Sequence, residues 1–118
     1  MSTAPPDEPP PIPRDGDAAV FLDWAWSGQS RQGKCVFEEW AGQFQHPIRA
    51  LIVTPDDDEA AARWLVAECH RTRLPLHGGG HGSLLWVRGG RVIDWIEKLF
   101  RCDVAQVEEH YRRSLGNA

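Results

Sequence analysis

Hydrophobic positions along the chain fall into short blocks with different periods. Ala18 to Trp26 (AAVFLDWAW) is a nearly continuous apolar run with β-branched and aromatic members, charged only at Asp23. Such a run fits a strand covered on both faces. After WSGQSRQGK, Val36, Phe37, Trp40 and Phe44 recur at helical spacing, with Glu38, Glu39 and Gln43 on the other side. This predicts an amphipathic helix that closes between Gly42 and Pro47. Ile48 to Val53 (IRALIV) predicts a second strand. It ends at Thr54-Pro55, where a threonine N-cap, a proline at the first helical position and Asp57 at the third predict a helix start. Asp56, Asp57, Asp58 and Glu59 then occupy the first turn, where the helix dipole favours negative charge. That explains the acid run without a metal. The helix continues through Ala61, Trp64, Leu65 and Cys69 to about Arg73.

Ser83 to Arg88 (SLLWVR) and Arg91 to Glu97 (RVIDWIE) flank Gly89-Gly90, a two-residue turn that tolerates the positive φ angles of a tight hairpin. Asp103, with Gln106 three residues later, predicts the cap of a last helix whose Val104, Val107, Tyr111 and Leu115 form one apolar face. The order is strand, helix, strand, helix, strand, strand, helix. Because a parallel crossover is right-handed and the helices must cover the sheet, this order predicts an α/β domain. Its sheet is mixed and four-stranded (βαβαββα), with helices on both faces. The domain spans residues 18–118. Residues 1–17 hold six of the nine prolines and are expected to be a polyproline-like, poorly ordered tail. The PxxP spacing there fits an aromatic-lined peptide groove, although a plain spacer is the simpler reading.

Composition narrows the function. A chain of 118 residues is enough for one compact domain. Its formal charge of −4 and its scattered Lys and Arg argue against nucleic acid, whose phosphates call for a basic stripe. No apolar run reaches the roughly 18 to 20 residues of a membrane span, and no basic-then-apolar leader pattern is seen. A soluble cytoplasmic protein is the expectation. Three cysteines, Cys35, Cys69 and Cys102, are odd in number and widely spaced, so they build neither a disulfide framework nor a CxxC pair.

The element order and two sequence anchors resemble the thioredoxin-like superfamily. Its WCGPC motif, the following basic residue and the FEELA-type helix are similar to Trp26-Ser27-Gly28-Gln29-Ser30-Arg31 and Val36-Phe37-Glu38-Glu39-Trp40-Ala41, with Cys35 at the position of the family's helix proline. Its hairpin is similar to Gly82 through Ile93, so the resemblance covers about residues 18 to 115. It implies a thioredoxin-like fold.

The departures bear on function. Dithiol exchange needs a low-pKa thiolate and a resolving thiol, and Ser27 and Ser30 supply neither. They read instead as helix-capping residues. Gly82, in His77-Gly78-Gly79-Gly80-His81-Gly82, stands where the family has a cis-proline. Asp23 is not aligned with the family's buried acid without a one-residue shift. Cys35 and Cys69 read as buried structural thiols, and Cys102 as the most exposed of the three. His70, His77, His81 and Cys69 match no strong zinc spacing, so no metal or other cofactor is implied. The HGGG run is similar to an oxyanion loop, but a turn feeding the hairpin is the simpler reading. Trp40, Trp64, Trp86 and Trp95 read as core, whereas Trp26, with Trp24, is placed to line an apolar patch against the glycine loop.

The leading expectation is therefore a thioredoxin-like domain without dithiol redox activity that binds a protein or peptide. Its candidate surface is Trp26, Ser27, Gly28, Gln29, Ser30, His77, His81, Gly82 and Ser83. An enzyme of the glutathione-transferase kind, with Ser27 hydrogen-bonding a thiolate, is the alternative; a metal-binding regulator is a third.

Overall fold

In the computed structural model, which describes residues 12–74 and 80–116, the first apolar run becomes strand β1 (Asp17–Leu22). Its residues Ala18 to Leu22 are all buried, as a strand with two covered faces requires. The chain continues as α1 (Gly28–Phe44), β2 (Arg49–Val53), α2 (Glu59–Thr72), the hairpin β3 (Leu84–Arg88) and β4 (Arg91–Ile96), a 3-10 turn (Leu99–Arg101) and α3 (Val104–Ser114). The sheet is four-stranded in the order β2-β1-β3-β4. Strand β2 is parallel to β1, β3 is antiparallel to β1, and β4 is antiparallel to β3. This is the mixed sheet the sequence predicts.

Alternation along the central strands sorts the core into two layers. Ala18, Val20, Leu22, Leu85 and Val87 pack against Ala61 and Leu65 of α2. Ala19, Phe21, Leu84 and Trp86 pack on the other side against Phe37 and Trp40 of α1 and Val107, Tyr111 and Leu115 of α3. In this second layer Trp40 meets Trp86 edge-on at 5.5 Å and Tyr111 at 5.7 Å. Trp40 and Trp86 are fully buried, as expected; Trp64 and Trp95 are half-buried at the border of the first layer.

Several local expectations hold. Gly89 and Gly90 take φ of 62° and 81°, closing the hairpin. Asp103 and Gln106 form a reciprocal capping box. Other boundaries move. Strand β1 stops at Leu22 rather than Trp26, because the backbone beyond it turns toward the head of α1. Helix α2 begins four residues after Pro55, since Asp58 is the residue that caps it, accepting from Ala61 N at 3.0 Å. Thr54 instead accepts Asp57 N through its carbonyl in a tight turn, and only Glu59 of the acid run lies in the first helical turn. At the amino-terminal end the ordered fold reaches back before Ala18: Asp17 opens β1 and Ile12 is buried in the first layer. Residues 1–11 of the expected tail lie outside the described residues.

Side chains of the helices fasten the sheet's edge and its second layer. Glu68, buried on α2, accepts from Val92 N at 2.8 Å, and Arg71 donates to Val92 O at 2.6 Å and to Glu68 at 2.7 Å. This pair satisfies outer backbone groups of β4, as an edge strand requires. Glu108 of α3 collects donors from Trp40, His46 and Arg112 at 3.0, 2.7 and 2.9 Å. Burial alone raises its pKa, but the hydrogen bonds outweigh burial and hold the carboxyl below the ordinary range.

Two residues along α3, Trp86 Nε1 donates to His110 Nδ1 at 2.7 Å, so the ring proton of His110 sits on Nε2. Burial lowers the His110 pKa, with Asp94 pulling it up and Arg113 pushing it down. In the unfolded chain the imidazole returns to the ordinary value near 6.5. The native state therefore binds fewer protons than the unfolded state, and stability is full above about pH 6.5 and lost as pH falls through the lowered native value. Thermal unfolding between pH 8 and pH 5 should show the midpoint dropping below about pH 6.5. In His110→Gln, whose amide oxygen still accepts from Trp86, that slope should flatten; an unchanged slope contradicts this role for His110.

Candidate functional site

Helix α1 starts where it does because Ser27, in an extended conformation, accepts from Ser30 N with its hydroxyl oxygen at 3.2 Å. Ser30 is fully buried and does more than continue the helix. Its hydroxyl donates to Asp23 Oδ1 at 3.1 Å and accepts from Trp24 N at 2.8 Å. Lys34 Nζ lies 3.8 Å from the other Asp23 oxygen. Leu22 N and Asp23 N make the last bonds toward the sheet, to Ser83 O at 2.9 Å and Val53 O at 2.8 Å, before the chain turns.

Gly82 lies against this junction. With φ of +84° it occupies the left-handed region, and a Cβ there would stand 2.8 Å from Ser30 Cα and 3.0 Å from the Phe21 ring. Glycine is required for both reasons. No cis peptide occurs among the described residues, so Gly82 follows a different backbone path from the cis-proline that the resemblance would place here.

The expected site residues divide into three groups. Ser27, Ser30, Gly82 and Ser83 are buried, and Ser83 Oγ points into the fold to donate to Glu97 O at 2.7 Å. Ser30, Gly82 and Ser83 form the supporting junction beneath the surface, whereas Ser27 caps α1 and also lines a small pocket with Asp23, Trp24, Ala25, Arg31 and Lys34. Gly28 and Gln29 are exposed at the head of α1, and His81 Nδ1 donates to Gln29 Oε1 at 2.6 Å. His77, with Gly78 and Gly79, lies outside the described residues. Trp26 is 64% exposed.

Trp26 is nonetheless held in place. Its indole Nε1 donates to Asp56 Oδ2 at 3.0 Å, its ring lies on Gly80, and the ring centroid is 6.4 Å from that of Trp24. Beneath it opens a cleft of about 340 Å³ lined by Trp24, Trp26, Pro55, Asp56, Ala62, Leu65, Val66, Cys69 and Gly80. Apart from Asp56 its described walls are apolar, and Val66 is an exposed apolar side chain at its edge. The sequence pointed to Trp24 and Trp26 but missed the opposite wall. Asp56 was assigned to a helix turn, and Val66 lies beside the apolar stripe of α2 rather than on it; that offset is the signal that marks it.

The thiols do not make a reactive pair. Cys35 is exposed, not buried: the inward positions of α1 are Ser30, Gly33, Phe37 and Trp40, and Cys35 falls on the opposite side. Cys69 and Cys102 are half-buried, so Cys102 is not the most exposed. Burial pushes both thiols up, and the nearby carboxylates of Glu68 and Asp103 add to it, which disfavours the nucleophilic thiolate. Among the described residues no group of three or more His, Cys, Asp or Glu is arranged to hold a metal ion.

The junction can be tested by stability. Ser30→Ala strands Trp24 N and takes a donor from Asp23, and should cost about 1–3 kcal/mol. Ser27→Ala removes a helix cap and should cost about 1 kcal/mol. Gly82→Ala should cost at least as much as Ser30→Ala, because strain and overlap coincide. Denaturant unfolding gives these values; equal, negligible losses would contradict the junction.

No protein-family model matches the chain, and no curated protein matches it. Solved structures do. Fasciola hepatica thioredoxin superposes with a TM-score of 0.61 at 15% identity, covering 86% of this chain and 83% of that one. A Schistosoma mansoni thioredoxin pre-protein gives 0.59 at 14%, covering 86% and 82%. The reduced desulfothioredoxin of Desulfovibrio vulgaris Hildenborough gives 0.59 at 16%, covering 83% and 81%. Together with the β2-β1-β3-β4 sheet and its two helical layers, these neighbours show that the chain has the thioredoxin-like fold.

Proposed function

We propose that this chain is a binding module on a thioredoxin-like scaffold, without dithiol redox activity, and that its site is the cleft beneath Trp26. The observation that carries this reading is the pairing of two features at one end of the sheet. The residues at the head of α1 are serines engaged in structural hydrogen bonds, and beside them a preformed apolar cleft is held open by the Trp26–Asp56 hydrogen bond. A serine hydroxyl is too weakly acidic to attack a disulfide unaided and has no sulfur with which to form the mixed disulfide. A concave apolar site with one oriented polar group suits recognition, and aromatic anchors such as Trp26 dominate the energetics of protein contacts. In the glutathione-transferase alternative Ser27 would turn its hydroxyl to a thiolate. Its oxygen accepts from Ser30 N and its hydroxyl proton stays free to donate, but the side chain is buried, which weighs against that role.

The test is reduction of insulin disulfides by the purified chain with dithiothreitol as electron donor, beside a dithiol thioredoxin. The expected rate is that of dithiothreitol alone, in wild type and in Cys35→Ser. Turnover comparable to the dithiol protein would overturn the redox-inactive reading.

A further inference from the structure

Which chemistry the cleft selects is written in its rim. We infer, building on the proposed binding site, that its occupant is a large apolar side chain of a peptide segment that carries Lys or Arg directly beside it. At about 340 Å³ the cleft is at the small end of ligand pockets, which run from roughly 300 to 1,000 Å³. That is room for one bulky side chain rather than a nucleotide or an extended cofactor.

The floor and walls, Trp24, Leu65, Ala62, Val66, Pro55 and Cys69, offer mainly dispersion contacts. The charged group on the rim is Asp56, whose Oδ2 accepts the Trp26 indole while the carboxylate stays exposed to solvent. Asp57 is exposed next to it. The other two acids of the run are engaged, Asp58 as the cap of α2 and Glu59 with Arg63 at 3.7 Å. No Lys, Arg or His stands among the described residues lining the cleft.

An anionic apolar ligand, such as a fatty acid, would bring its carboxylate against Asp56 and is disfavoured. A cation beside the inserted side chain meets Asp56 and Asp57, and the exposed Trp26 ring offers its face as a second attraction. Residues 1–11 of the chain itself are disfavoured on the same ground, since their prolines suit an aromatic groove but their charged side chains are Asp7 and Glu8. The occupant is therefore a basic, aromatic-bearing segment of another protein.

The experiment titrates the full chain, labelled with nitrogen-15, with three synthetic peptides and follows the indole N–H signals of Trp24 and Trp26. The peptides are acetyl-Gly-Lys-Phe-Arg-Gly-amide, the same with Lys and Arg replaced by Glu, and the same with Phe replaced by Ala. The first should shift both indole signals. The Glu peptide and the Ala peptide should each bind at least about tenfold more weakly, about 1.4 kcal/mol. Asp56→Asn should weaken the first peptide about three- to fivefold, the size of a rim ion pair. Val66→Lys, on an exposed position that leaves the core untouched, should abolish its binding. Equal or tighter binding of the Glu peptide, with Phe still required and Val66→Lys still blocking, would overturn the charge inference and leave the cleft reading standing. Absence of indole shifts with either Phe peptide, or shifts unaffected by Val66→Lys, would overturn both.

Discussion

The buried hydroxyl of Ser30 is the constraint on which this end of the molecule depends. It ties the exit of β1 to the head of α1: it accepts from the backbone of Trp24, donates to Asp23, and sits on α1 under the cap of Ser27. Gly82 completes the junction from the hairpin side, because only a residue without Cβ fits over Ser30 Cα at that φ. With the backbone turned inward at Trp24, Trp26 is carried outward over Gly80, and the cleft opens beneath it. The serine that stands in a redox position of the resembled motif is thus spent on structure, and the apolar surface beside it is a consequence of the same turn.

The rest of the fold supports that junction from two sides. Helix α2 supplies the far wall of the cleft and, through Glu68 and Arg71, closes the outer edge of β4. Helices α1 and α3 cover the opposite layer, where Trp40 and Trp86 present indole N–H groups that need acceptors in a dry core. Glu108 and His110, two residues apart on α3, provide them. Protonation removes the acceptor of His110 and weakens that of Glu108, and both groups have lowered native pKa values, so acidification acts on one helix seam in the same direction twice.

What could be read from the sequence was whatever local chemistry determines. The Gly89-Gly90 turn, the Asp103 capping box, the Ser27 cap and the continuous apolar run of β1 each depend on a few adjacent residues, and each was legible. The element order followed, and with it the thioredoxin-like fold. The helix start at Thr54-Pro55 failed because two cap signals, Thr54 and Asp58, compete four residues apart and tertiary packing decides between them. Cys35 was misread because its burial depends on where the inward stripe of α1 falls, which Ser30 and Gly33 set rather than the large apolar residues alone. At the site, Trp26 was legible as an anomaly. Its partner Asp56, 30 residues away, was not, because the hydrogen bond between them exists only once β2 lies beside β1. Ser83 was assigned to the surface by proximity to the loop, yet its hydroxyl is needed inside, at Glu97.

The central claim is that the recognition surface of this scaffold lies at the Trp26 cleft and not at the serine pair. It is tested most directly by crystallographic screening of small aromatic fragments against the full chain. Fragment density is expected between Trp24, Trp26 and Val66, and none at the head of α1. Fragments gathering over Ser27, Ser30 and Gly82, with the Trp26 cleft unoccupied, would contradict it.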